Sequence, residues 1–175
     1  AYQRQKPKAI KLKRGFSKDH RPDLKQILYN LSITEDGGVP IHFKAYDGNV
    51  TDDTTHIEIW LSLRSLIGRS NFLYVADSKL CTTANLNKID QEKGRFITIV
   101  PRTRSEVKEF YQLCCESNLH WDLLTRRQSA RKKDRYDVFH IAREFCQLNE
   151  GYRIYWHKSS EKKKRDEDSR NERIE

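Results

Sequence analysis

The chain has 175 residues, enough for one domain with a real core and one small appendage. Hydrophobic residues make up 36% and charged residues 34%, so a compact core with charged arms is expected instead of a uniformly packed globule. The net charge of +9 points to a polyanionic partner, because Lys and Arg beside phosphates release condensed counterions. No apolar run approaches the length of a membrane span and no signal peptide opens the chain, which reads as cytoplasmic.

The four cysteines, Cys81, Cys114, Cys115 and Cys146, contain no C-x-x-C pair and read as reduced thiols, partly buried. Opening at Ala1 and lacking methionine, the chain reads as an excised domain, a processed chain or a gene fragment.

In chain order, residues 1–25 form a basic arm, with nine Lys and Arg against Asp19 and Asp23, broken by Gly15 and Pro22. Residues 26–33 and 39–46 read as two strands joined by the Glu35-Asp-Gly-Gly38 turn, an antiparallel hairpin. Ile57, Trp60, Leu61, Leu63, Leu66 and Ile67 recur at three- and four-residue spacing and predict a helix over 54–68, ending at Gly68. A short apolar strand over 71–76 stops at Asp77. A helix over 82–93 follows, capped by Thr82 or Thr83 and closed by Gly94, and then a strand over 95–100.

Strands separated by helices pair in parallel whereas the hairpin is antiparallel, so the expected class is α/β, a mixed sheet flanked by helices. Beyond Pro101 a helix is expected over 103–118 with Val107, Phe110, Tyr111 and Cys114 on one face. Residues 126–135 read as a basic loop or exposed helix, and 136–140 and 152–157 as strands. Residues 158–175 alternate charge signs with almost no apolar residue, so they are expected not to fold alone.

Asp77 is the leading candidate for chemistry. It follows a central strand, and functional carboxylates of open α/β sheets collect at the carboxyl ends of strands, where a hard cation finds a rigidly held oxygen. Position alone favours a plainer role by about two to one, as a strand-ending residue or a cap for the helix near residue 82. Asp47, Asp52 and Asp53 read as turn and cap residues. His20, His42 and His56 show no ligand spacing, and no phosphate-binding glycine loop is present. The basic segments at 4–25 and 126–135 suit phosphate contacts. Nearby aromatics such as Tyr136 offer faces for bases, while Tyr152, Tyr155 and Trp156 are assigned to a core.

Four segments in fixed order carry a family likeness: Gly15-Phe-Ser-Lys-Asp-His-Arg-Pro-Asp-Leu-Lys-Gln26, Gly38-Val-Pro-Ile41, Asp47-Gly-Asn-Val-Thr-Asp-Asp53 and Val75-Ala-Asp-Ser-Lys-Leu80. Over about residues 10–100 the chain resembles the DDE transposases of bacterial insertion sequences, in the IS-four-like group. The resemblance implies a ribonuclease-H-like core, with two divalent ions, Mg²⁺ or Mn²⁺, on an Asp, Asp, Glu set of which Asp77 is the second member. It also implies that the first Asp lies on a strand before Gly15, where this chain has no acidic residue, and that the Glu lies beyond an inserted β-rich region. The chain is thus expected to be an incomplete ribonuclease-H-like sheet with a partial insertion and a charged tail, divided at 1–25, 26–101, 102–157 and 158–175.

The implied partners are DNA, as element ends and target, and a second transposase copy, at the nucleoid. The expected DNA contacts are Lys18, His20, Arg21, Lys25, Arg126, Arg127, Arg131, Lys132 and Lys133. The rivals are a non-catalytic basic nucleic-acid-binding module and an inactive transposase remnant.

Overall fold

A computed structural model describes residues 9–15, 21–116, 119–129, 134–143 and 147–174. The chain is mixed α/β and divides between Val100 and Pro101 into two units.

The first unit holds β1 (Lys13–Arg14), β2 (Lys25–Ile33), β3 (Pro40–Asp47), α1 (Asp52–Ile67), β4 (Leu73–Val75), α2 (Thr83–Gln91) and β5 (Arg95–Ile97). β2 and β3 are the expected hairpin, paired from Ile27 opposite Asp47 to Ile33 opposite Pro40. The basic arm is tied to the hairpin's end. β1 pairs antiparallel with the start of β2, the Lys11 amide donates to Asp47, and Lys13 pairs with the same carboxylate at 3.1 Å. Asp47 therefore fastens the arm.

α1 buries Thr55, His56, Ile59, Trp60 and Leu63, which recur one helical turn apart. It starts at Asp52, slightly before the expected 54, with Asp52 and Asp53 in the first turn near the helix's positive end. Gly68 ends it in the left-handed conformation, its N–H bonded to the Arg64 carbonyl. α2 is capped by the Thr82 hydroxyl, which accepts from the Asn85 amide. Its closure differs from expectation, because Lys93 and not Gly94 takes the positive φ. Gly94 serves packing instead: a Cβ there would lie 2.6 Å from the Ile89 side chain and 2.7 Å from that of Trp60.

β4 and β5 pair in parallel, as the intervening α2 requires. The expected single mixed sheet is not formed among the described residues. The antiparallel β1-β2-β3 sheet and the parallel β4-β5 pair share no strand pairing. α1 and α2 bury Ile59, Trp60, Leu86 and Ile89, while alternate residues of the strands, including Tyr29, Leu31, Phe43 and Val75, stay exposed.

The second unit holds α3 (Ser105–Glu116), β6 (Trp121–Gln128), β7 (Tyr136–Ala142), β8 (His157–Ser159) and α4 (Ser160–Asn171). On α3, Val107 and Phe110 are buried, but Tyr111 and Cys114, expected on the same face, are exposed. Phe110 stacks on Trp156 with ring centroids 4.0 Å apart, so Trp156 belongs to the core, whereas Tyr155 points out.

Two further expectations fail here. Arg126 and Arg127 lie in β6, paired with Val138 and Asp137, and not in a loop or helix; cross-strand bonding to β7 overrides their polar composition. Over 152–157 the strand is replaced by an isolated bridge from Arg153 to Gln147, and pairing with β7 begins only at His157. The charged segment after 158 is helical. Ser159 caps α4, and the Asp137 carboxylate accepts from the Ser159 and Ser160 hydroxyls and the Glu161 amide. Ion pairs from Lys162 to Asp166 and Lys163 to Glu167 add support one turn apart.

Candidate functional site

The first unit contains a groove of about 1030 Å³ bounded by strand edges. Residues 28–34 of β2 and the following turn form one wall, residues 72–77 the other, and Asp52, His56, Leu63 and Ile67 of α1 contribute a helical surface. Among the described residues, β1 meets β2 only at Lys25 and Gln26, and β4 pairs only with β5. Along the groove, β2 and β4 each have a strand partner on one side alone.

Asp77 sits where β4 ends. The Ala76 N–H donates to the Ile97 carbonyl, extending the parallel pairing by one residue, and the chain then turns. The Asp77 carbonyl accepts from the Thr98 hydroxyl at 2.6 Å and from the Leu80 amide at 3.2 Å, which pins the backbone on both sides. Its Oδ1 accepts from the Lys79 amide at 2.9 Å, a local Asx-type turn. Asp77 does not cap α2, since Thr82 does. The carboxylate is more than half exposed.

Beside it lies a group that sequence spacing did not reveal. His56, buried on α1, has Nδ1 3.1 Å from the Tyr74 hydroxyl and Nε2 3.9 Å from Asp77 Oδ1. Burial lowers the His56 pKa against the opposing pull of Asp77, Asp52 and Asp53, so the ring is held toward neutrality. Burial, reinforced by Asp77, pushes the Tyr74 hydroxyl up to about 12. The available signal was His56 standing four residues after Asp52, one helical turn, on the buried stripe of α1.

The described residues contain no cluster of three or more His, Cys, Asp or Glu able to hold a metal ion. Asp77 and Asp52 line one groove, but they do not complete a site for a pair of divalent ions.

The expected DNA contacts are scattered. Arg21 is exposed and paired with Asp23 at 2.8 Å, and Lys25 is exposed on β2. Arg126 and Arg127 are exposed on β6 of the second unit. Lys18, His20, Arg131, Lys132 and Lys133 lie outside the described residues. Among the described residues, no helix is long and apolar enough to cross a membrane. Comparison with family models, curated proteins and solved structures finds no match for this chain.

Proposed function

We propose that this chain is the central part of a ribonuclease-H-like catalytic domain of a DDE transposase, with Asp77 as one carboxylate of the metal-binding set. One observation carries the reading most: Asp77 is fixed at the carboxyl end of a parallel strand, beside a groove along which β4 and the part of β2 after Gln26 each pair on one side alone among the described residues. The resemblance in sequence calls for a first core strand ending in Asp ahead of Gly15, where this chain has no acidic residue. The groove offers a strand two edges to bond with and a helix to pack on, so the gap and the expected strand agree in kind.

The whole protein, on this reading, cuts and joins DNA strands by in-line phosphoryl transfer with Mg²⁺ or Mn²⁺ held by three carboxylates. Those ions supply activation of the attacking oxygen and stabilisation of the leaving one. Asp77 contributes a rigidly mounted oxygen ligand and nothing more, so the chain by itself is inactive. The excess of positive charge and the exposed Arg126 and Arg127 suit the DNA backbone.

Two measurements test this. The reading frame that encodes the chain should contain, in frame, an upstream strand ending in Asp and a downstream helix bearing Glu; stop codons on both sides would make the chain a remnant. The purified chain should bind duplex DNA with a steep salt dependence that Mg²⁺ does not enhance, and should leave supercoiled plasmid intact. Nicking by the chain alone would refute the incomplete carboxylate set.

A further inference from the structure

We propose that the hydrogen-bonded Tyr74–His56 pair positions the Asp77 carboxylate at the groove, facing Oδ1 with an imidazole N–H and leaving Oδ2 for a ligand. The proposal deepens the reading of Asp77 as the functional carboxylate and rests on it.

The geometry runs from the interior outward. Tyr74 is the buried central residue of β4, and His56 is just as buried on α1, with its ring edge-on to Tyr74 at 70° and 6.1 Å. Asp77, at the other end, is largely in solvent. A neutral imidazole carries one proton, so the two ring nitrogens have opposite roles. With the proton on Nδ1, the bare Nε2 lone pair would face the Asp77 carboxylate, which is repulsive. With the proton on Nε2, Nδ1 accepts from the Tyr74 hydroxyl at 3.1 Å and Nε2–H points at Oδ1. Electrostatics therefore selects the second tautomer.

The 3.9 Å from Nε2 to Oδ1 is longer than a hydrogen bond, so the imidazole acts on the carboxylate through charge attraction and not through a formed bond. Oδ1 already accepts from the Lys79 amide. Two donors mounted on separate elements, one on α1 and one in the turn after β4, thus address one oxygen. Among the described residues Oδ2 has no protein partner, so an electrophile approaching from the groove meets Oδ2. Carboxylate and imidazole ligands gain their orientation from outer-shell partners of this kind. His56 acts through Asp77 and is a positioning residue.

The test is the tautomer of His56 in the ¹⁵N-histidine-labelled chain, read from long-range ¹H–¹⁵N correlations. The unaltered chain should carry the proton on Nε2. Tyr74→Phe, which removes the hydroxyl with little change of volume, should cost that bias and give a mixture of tautomers. Asp77→Asn should move the His56 Nε2 resonance. The Lys79 amide resonance, a reporter of Oδ1, should shift in His56→Ala and return toward its original position in His56→Gln, whose side-chain amide reaches the Nε2 position. A proton on Nδ1 in the unaltered chain, or a tautomer unmoved by both Tyr74→Phe and Asp77→Asn, overturns the proposal. If His56→Ala does not fold, the unaltered chain and the Phe and Asn variants still decide. No metal or DNA enters the measurement. The positioning role can therefore fail while Asp77 proves essential for strand transfer, and it can stand while Asp77 proves dispensable, so the two failures are separable.

Discussion

Glu106 is only 1% exposed, yet it stays charged because the Arg104 guanidinium meets it at 2.8 Å and the Asn149 amide adds a third donor. Arg104 also reaches Glu150 at 2.6 Å, so one guanidinium ties the start of α3 to the turn before residue 151. These bonds hold the Glu106 carboxyl at about 2, against an ordinary value of 4.5. Because the folded value is depressed, the stabilisation is fully present above the unfolded pKa and is lost as pH falls from about 4.5 toward 2, amounting to roughly 3 kcal/mol. Acid titration of the fold should show a loss in that window which Glu106→Gln largely removes. At neutral pH the same variant should cost about 2–4 kcal/mol, since it leaves Arg104 short of a partner. A variant as stable as the parent at pH 7 would show that Glu150 alone satisfies Arg104.

At the scale of elements, α4 is held by its first turn. None of its residues is buried, so it has no apolar face to anchor it. The Asp137 carboxylate on β7 takes four contacts from Ser159, Ser160 and Glu161. Asp137→Ala should therefore fray the helix from its N-terminus, costing about 1 kcal/mol locally. Amide exchange over residues 161–164 should accelerate several-fold while β6 and β7 keep their protection. Unchanged exchange there would show that the Ser159 cap and the Lys–Asp and Lys–Glu pairs suffice.

This helix also shows why part of the fold was illegible. β2, β3, α1, β4, α2 and β5 announce themselves through local apolar spacing and glycine stops, and the structure sets them within a few residues of where that spacing puts them. α4 depends on a carboxylate 22 residues before Ser159, a partner that no local pattern reveals. Arg126, Arg127 and Gln128 became strand through pairing with β7, again a long-range cause.

For the molecule as a whole, the site was half legible. Asp77 was visible because an apolar strand ends on it. His56 was not, because its meeting with Tyr74 and Asp77 arises only when α1 packs beside β4. The groove itself required knowing that, among the described residues, β4 and the part of β2 after Gln26 pair on one side alone, a property of pairing and not of composition. The reading as a transposase joins these: a carboxylate fixed on a strand end, a gap bordered by strands, and a strongly basic chain.

The most direct test is Asp77→Asn in the complete protein encoded by this reading frame, assayed for cutting and joining of element-end DNA with Mg²⁺ and with Mn²⁺. Asn keeps the size of the side chain and removes the anionic ligand. The account predicts a loss of at least about 100-fold in strand transfer with DNA binding and thermal stability retained. Strand transfer at the parental rate in both metals would contradict it and leave Asp77 as a turn residue at the end of β4.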